Sequence, residues 1–239
     1  ILLRPKKIII LEINEYNLYK IEKELISNSE IQSVNISFIL GSIQNQKLID
    51  RIISENDVNI VIHAAAYKHV QLIEKNITEG FRNNVFGTEK LLNSVIKNSV
   101  KSFILVSTDK AVRPTSVMGL TKRIAEQLVQ KASIQNPSTK FSIVRFGNVL
   151  GSSGSVVPLF RKQIISGGPV TITDFNMIRY FMVIDEAAKL ILLAGTYGSK
   201  GEIFLLDMGK PIKIIQLAKN MIKLLGYTIK DSNNLNGDI

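Results

Sequence analysis

The sequence predicts an α/β chain, a doubly wound parallel sheet followed by a smaller C-terminal lobe. Three observations carry the prediction. Short runs rich in Ile, Val and Phe alternate with longer segments of helical periodicity from Lys6 to Phe146. The chain has 239 residues, of which 45% are apolar, enough for one sizeable core. After Gly147 the alternation loosens and glycine-containing turns take over. Crossovers between parallel strands are almost always right-handed, so sustained β-α alternation leaves few other architectures.

The elements follow in order along the chain. KKIIILEI (residues 6–13) is an unbroken apolar run of the kind buried on both faces of a parallel sheet. A helix is expected over residues 16–27, with Leu18, Ile21 and Leu25 at helical spacing. SVNISFIL closes a second strand at Leu40, and a further helix lies around residues 47–54. VNIVIHAAA is a third strand that runs into a turn of small residues. TEGFRNNVFGTEKLLNSVIKNS reads as one long helix with Val85, Leu91, Leu92, Val95 and Ile96 turned inward. SFILVS (residues 102–107) is the next strand. The helix opened by Pro114, Thr115 and Ser116 runs to Gln135, and KFSIVRF is the strand after it. Beyond GNVLGSSGSVVP come a helix, a Gly-Gly-Pro turn at residues 167–169 and helices near residues 184–194 and 212–225; SNNLNG is loop-like. A core of residues 1–146 and a lobe of residues 147–239 are the expected divisions.

Composition narrows the function classes. The net charge is +10, yet Lys and Arg are scattered singly or in pairs such as Lys6-Lys7 and Lys122-Arg123. Without a basic tract no nucleic-acid partner is expected, and the charge suits an anionic substrate or a nearby anionic leaflet. The absence of cysteine excludes disulfides, thiolate metal sites and cysteine nucleophiles. With only two histidines, His63 and His69, no metal centre is expected. No apolar run reaches the roughly 18 residues of a membrane span, and the opening ILLRPKKIIILEINE lacks the zones of a signal peptide. The chain as it stands is expected to be soluble and cytoplasmic.

A Rossmann-like sheet that binds a dinucleotide opens with a strand and a glycine-rich turn, whose N–H groups meet the pyrophosphate at a helix N-terminus. No such turn stands near the first strand here. That strand ends in Glu12, which suits the second strand of such a fold, where an acidic side chain accepts hydrogen bonds from the adenosine ribose. GSSGS at residues 151–155 is glycine-rich but wrongly placed for the dinucleotide cradle. The expectation is a sheet lacking its first strand and glycine-rich loop, in a fragment incomplete at both ends.

HAAAYKHV (residues 63–70), NNVFGT (83–88), STDKAVRPTSVMGLTK (107–122), VRFGNVLGSSGSVVPLF (144–160) and IRYFMVIDEAA (178–188) stand in order over nearly the whole chain. Together they resemble the nucleotide-sugar 4,6-dehydratases of the capsular polysaccharide biosynthesis family, within the extended short-chain dehydrogenases. Most members of that superfamily carry a tyrosine four residues before the lysine that here is Lys122. Met118 stands in its place, and a thioether cannot exchange a proton. The larger, membrane-attached branch of the family is similar in carrying methionine there. Ser42 departs from the aspartate that many relatives use for adenine, and Gln71 from a common proline.

The resemblance implies dehydration of a UDP-linked N-acetylhexosamine to a 4-keto-6-deoxy sugar, for bacterial surface glycans. In that reaction NAD(P)+ takes hydride from carbon 4, the carbon-5 proton is removed, the 6-hydroxyl leaves as water, and hydride returns to carbon 6. By resemblance, Asp109 is the acid and Lys110 the base. Lys110 then needs a lowered pKa, expected from desolvation and neighbouring cations. Thr108 would bond the 4-hydroxyl, and Lys122 would hold the nicotinamide ribose. Glu12, Ala64, Ala65 and Ala66 would line the cofactor, either NAD or NADP, with Glu12 favouring NAD because an acid repels a 2′-phosphate. Lys68, Asn148, Ser152, Ser155 and Arg179 would contact the UDP-sugar, the forked guanidinium of Arg179 suiting the diphosphate.

Plainer roles compete at each position: a solvated turn at Asp109-Lys110, a packing residue at Met118, a snorkelling lysine at Lys68, a satisfied strand-end residue at His63, a surface ion pair at Arg179. A homo-oligomer is expected, as is attachment of the parent protein to the inner membrane's cytoplasmic face through segments absent from this chain. Two other functions compete: a nucleotide-sugar epimerase of the same fold, and a non-catalytic sugar-nucleotide scaffold. The retained Asp109, Lys110 and Lys122 speak against the scaffold.

Overall fold

The computed structural model describes residues 5–28, 34–152, 154–230, 234 and 237–239. Among the described residues, two larger parallel sheets are joined by helices. β1 (Lys7–Glu12) and β2 (Asn35–Leu40) form one sheet. β3 (Ile60–His63), β4 (Ser102–Val106), β5 (Lys140–Arg145) and β9 (Lys200–Leu205) form the other, in that order across it. Among the described residues β1 bonds only to β2 and β3 only to β4. The parallel α/β architecture expected of the sequence is thus found, divided between β1 and β3.

The helices form where the spacing places them. α1 (Glu15–Ile26) and α2 (Gln46–Glu55) start at Asn14 and Asn45, whose side chains accept from the N–H groups of Asn17 and Leu48. Each satisfies a donor that has no partner within its own helix. α2 turns Ile49, Ile52 and Ile53 inward, as its alternation of apolar and charged residues dictates. The stretch expected to be one long helix is interrupted. α3 (Val70–Lys75) and α4 (Ile77–Phe81) precede a π-helical turn at Arg82–Gly87, after which α5 (Thr88–Lys97) continues. α6 (Val117–Gln135) is the longest helix, capped by Ser116, whose hydroxyl accepts from Gly119 N–H at 3.1 Å.

Beyond β5 lie β6 (Asn148–Val149), α7 (Val156–Ile165), β7 (Ile178–Arg179), β8 (Phe181–Met182), α8 (Ile184–Tyr197), β10 (Ile212–Lys213) and α9 (Ile214–Leu224). The helix expected over residues 212–225 thus begins two residues later, because Ile212 and Lys213 pair with Arg179 and Ile178. SNNLNG lies mostly outside the described residues, as does Ser153 of the GSSGS run. Strand β9 and helix α8 pack with β4 and β5, so chain from beyond Gly147 completes the main sheet.

The main core lies between the sheet and the helices α2, α5 and α6. Phe103, Leu105, Phe141 and Ile143 are fully buried there against Leu92, Val95, Ala125 and Val129, with Leu11 of β1 packed on the cluster. Burial of such side chains stabilises by about 1.5–3 kcal/mol each. A second cluster joins α8 to the opposite sheet face, and a third joins α7 to α9. Among the described residues no helix is long and apolar enough to cross a membrane.

Candidate active site

Parallel strands end on the same sheet edge, where open α/β sheets hold ligands. Beyond β4 the chain enters Ser107 and a short 3-10 turn, Asp109–Ala111, capped by Thr108. Two backbone bonds pin this turn to the end of β5: Ser107 N–H to Val144 O at 2.7 Å and Asp109 N–H to Phe146 O at 3.1 Å. Within it Asp109 Oδ1 accepts from Thr108 Oγ1 at 2.9 Å and from Lys110 Nζ at 3.0 Å. Thr108, Asp109 and Lys110 are therefore one hydrogen-bonded unit. The surroundings of Lys110 differ from the expectation. Its side chain is 38% exposed and its partner is a carboxylate, so neither the burial nor the cationic neighbours expected of it are found.

The start of α6 packs on that turn. An added Cβ at Gly119 would collide with the backbone carbonyl of Lys110, so only glycine lets helix and turn approach this closely. Met118, Lys122 and Glu126 follow at intervals of four and share one buried helix face. Met118 is 4% exposed and packs as an apolar residue. Lys122 Nζ donates to Val106 O at 2.7 Å, at the last residue of β4. Burial lowers the Lys122 amine to about 8, against the opposing attraction of Glu126. Lysine and tripeptide unit thus meet at the same strand end.

Glu126 escaped the sequence reading. Its carboxylate is fully buried and accepts from Ser107 Oγ at 2.6 Å, from Arg145 Nε at 2.7 Å and Nη2 at 2.5 Å, and from Arg123 Nη1 at 3.1 Å. Burial alone would raise its pKa, but these hydrogen bonds prevail and hold it below the usual carboxylate range. An acid four residues after Lys122 on a buried helix face was the available signal. Asn84 was missed too. Lying in the π-helical turn, it accepts from Tyr67 N–H at 2.8 Å and donates to Tyr67 O and Thr121 Oγ1, both at 3.0 Å. That clip ties the turn after β3 to α6.

His63 is only half satisfied, contrary to expectation. Thr88 Oγ1 spends its single proton on Asn84 O at 2.7 Å, so its contact with His63 Nε2 at 2.8 Å makes Nε2 the donor. Nδ1 is left buried without a partner. Desolvation first, and then the charge of Lys122, lower the His63 pKa to about 3. The unfolded chain, with a histidine near 6.5, binds the proton first. The stabilising contribution is therefore full above pH 6.5 and is lost as pH falls toward 3. Thermal melts at pH 7.5 and pH 5.5 are expected to show a fall that His63→Gln reduces; an equal fall in both proteins would refute the assignment.

The other expected ligand residues are distributed around this edge. Ala64 and Ala65 are exposed and Ala66 half-buried just beyond β3. Glu12 ends β1 and is half-buried, one oxygen accepting from Asn14 N–H at 2.8 Å. Asn148 follows the end of β5 and its N–H donates to Tyr180 O at 3.1 Å, joining the turn-bearing strand ends to the segment that carries Arg179. Arg179 Nη1 donates to Ile178 O at 2.8 Å, and the guanidinium forms no salt bridge among the described residues. Ser155 heads α7 without a side-chain capping bond, and its buried hydroxyl has no partner among the described residues. Ser152 accepts from Ser155 N–H at 3.1 Å through its carbonyl and shapes this loop. Gly154, at φ +69, leaves space that His69 fills. Lys68 is exposed and no bond fixes it to the Asp109 unit.

Residues 1–238 match the family model described as polysaccharide biosynthesis protein. The chain is 49% identical over 229 residues to the capsular polysaccharide biosynthesis protein CapD of Staphylococcus aureus, covering 95% of this chain and 38% of that protein. It is 36% identical over 230 residues to the UDP-glucose 4-epimerase of Rickettsia rickettsii, covering 91% of this chain and 67% of that enzyme. Among solved structures it is similar to DesIV, a dTDP-glucose 4,6-dehydratase from Streptomyces venezuelae with NAD bound, at 22% identity and a TM-score of 0.79. That likeness spans 92% of this chain and 72% of DesIV, and it shows the fold. The chain thus spans under two-fifths of the capsular relative's length.

Proposed function

This chain belongs to the polysaccharide biosynthesis protein family, and on that premise we propose that it carries the active site of an NAD(P)-dependent nucleotide-sugar 4,6-dehydratase acting on a UDP-linked N-acetylhexosamine. The observation that carries the reading is the Thr108-Asp109-Lys110 unit at the end of β4, with Lys122 bonded to the same strand end and Met118 in the tyrosine's place.

The residues present fit a dinucleotide in part. The buried amine of Lys122 suits the nicotinamide ribose, the small side chains of residues 64–66 suit close approach of a cofactor beyond β3, and Glu12 keeps a carboxylate oxygen for the adenosine ribose. Among the described residues none forms the backbone cradle of a pyrophosphate. When bound, NAD(P) supplies a reversible hydride acceptor for the sugar. The repulsion between Glu12 and a 2′-phosphate favours NAD.

Without a tyrosine, the proton of the 4-hydroxyl needs another acceptor. Thr108 Oγ1 already donates to Asp109 Oδ1, so a 4-hydroxyl bonded to Thr108 can pass its proton through the threonine hydroxyl to the carboxylate. Asp109 then holds the proton that the 6-hydroxyl needs to leave as water. Lys110, as the neutral amine, takes the carbon-5 proton and later returns a proton to carbon 5 from an ammonium whose protons exchange with solvent. Protons balance over the cycle. Arrival of the substrate covers the half-exposed Asp109-Lys110 pair and takes water away from it. The guanidinium of Arg179, without a salt bridge among the described residues, is the group proposed for the diphosphate, and Lys68, Asn148, Ser152 and Ser155 are proposed for the rest of the UDP-sugar.

Identity to a protein named UDP-glucose 4-epimerase supports a second reading, epimerisation in the same site. Mass spectrometry of the product formed by the full-length protein separates the two. Dehydration is expected to remove the mass of one water; an unchanged mass with inverted stereochemistry would overturn the dehydratase reading.

A further inference from the structure

We propose that Glu126 is a positioning residue: its buried carboxylate joins α6 to the ends of β4 and β5, fixes the amine of Lys122 at the strand end, and supplies that amine's counter-charge. Its part in hydride chemistry rests on the reading given above.

The geometry shows a clasp. Lys122 and Glu126, one helical turn apart, grip consecutive residues of the chain leaving β4: the amine bonds Val106 O at 2.7 Å and the carboxylate bonds Ser107 Oγ at 2.6 Å. The next three residues are Thr108, Asp109 and Lys110. From the other side the same carboxylate takes both Nε and Nη2 of Arg145, the last residue of β5. Bidentate pairing fixes the plane of both groups, so the helix cannot slide along the sheet without breaking it. A helix that is docked only by apolar contacts has no comparable restraint on register.

Charge gives the second part of the argument. The groups around Lys122 are Glu126 on its own helix, Arg123 and Arg145 bound to that carboxylate, uncharged His63 on β3, and the Asp109-Lys110 pair in the turn packed on the start of α6. Desolvation works against a charged Lys122, and Glu126 is the neighbour that opposes it. Remove that charge and the amine should lose its proton more readily. A residue that only glued helix to sheet would leave the amine's titration where it was.

NMR titration of the Lys122 side-chain carbon next to the amine, in the full chain without substrate, reads this directly. In Glu126→Gln the midpoint is expected to move to lower pH by about one unit, the size carried by loss of an opposite charge nearby. Ser107→Ala, which keeps the charge and removes one hydroxyl, should leave the midpoint in place. An unmoved midpoint in folded Glu126→Gln overturns the proposal, and so does an equal shift in Ser107→Ala. Should Glu126→Gln fail to fold, Glu126→Gln/Arg145→Met removes the stranded guanidinium; the midpoint is then expected to move to lower pH by less, because a cation leaves with the carboxylate, and an unmoved midpoint there overturns the proposal as well. Because no substrate enters the titration, failure of the dehydratase reading would leave its result intact. Conversely, an inactive Lys110→Met enzyme alongside an unmoved Lys122 midpoint would sink only the role of Glu126.

Discussion

Lys110→Met is expected to lower turnover by about 10²- to 10⁴-fold in the full-length protein, the loss that follows removal of a general base. Methionine keeps an apolar stem of similar length and deletes the amine, so the fold should survive. Asp109→Asn should fall by a similar factor, since the amide accepts hydrogen bonds but carries no transferable proton at neutral pH. Exchange of the carbon-5 proton with deuterated solvent should fail in Lys110→Met. Met118→Leu serves as the control: it preserves volume at a site 4% exposed, and such swaps usually cost less than about 1.5 kcal/mol of stability. Activity is expected to persist in that variant. Loss of activity in folded Met118→Leu, with carbon-5 exchange intact in Lys110→Met, would show that proton transfer has been assigned to the wrong groups.

The largest effect on stability is expected from Arg145→Met. The guanidinium is 14% exposed and bidentate on a carboxylate with no exposure at all. Removing one partner strands a buried charge, at a cost of about 3–5 kcal/mol, with the bonds from Ser107 and Arg123 holding it toward the lower end. In a chain of this size that lowers the melting temperature by about 10 °C. Replacing both partners, as in Glu126→Gln/Arg145→Met, should recover much of the loss because no uncompensated charge remains. Calorimetric melts of the single and double variants decide it. A double variant no more stable than Arg145→Met would mean that the pair's worth lies in packing and not in charge.

What the sequence by itself determined was whatever depends on local spacing. The apolar runs ending at Glu12, Leu40, His63 and Val106 became strands because short runs rich in β-branched residues, bounded by helix and turn signals, have the length and side chains of sheet strands. The order of β and α then left a parallel sheet as the economical solution, and the Thr108-Asp109-Lys110 unit fell at a strand end because the strand's last apolar residue, Val106, is legible. The break of the 78–99 helix into a π-helical turn was not legible. Within that turn the amide of Asn84 bonds Tyr67 and Thr121, 17 and 37 residues away in sequence. The same holds for Glu126. Read along the chain, it is an acid in a helix that also carries Lys122, Arg123 and Lys131, and exposure is the ordinary outcome for such a residue. Only tertiary structure brings Ser107, Arg123 and Arg145 to one carboxylate and so makes its burial stable. Periodicity records which side chains leave water; it carries no record of which distant donor awaits a buried acceptor, because that partner is chosen by how strands and helices cross in space.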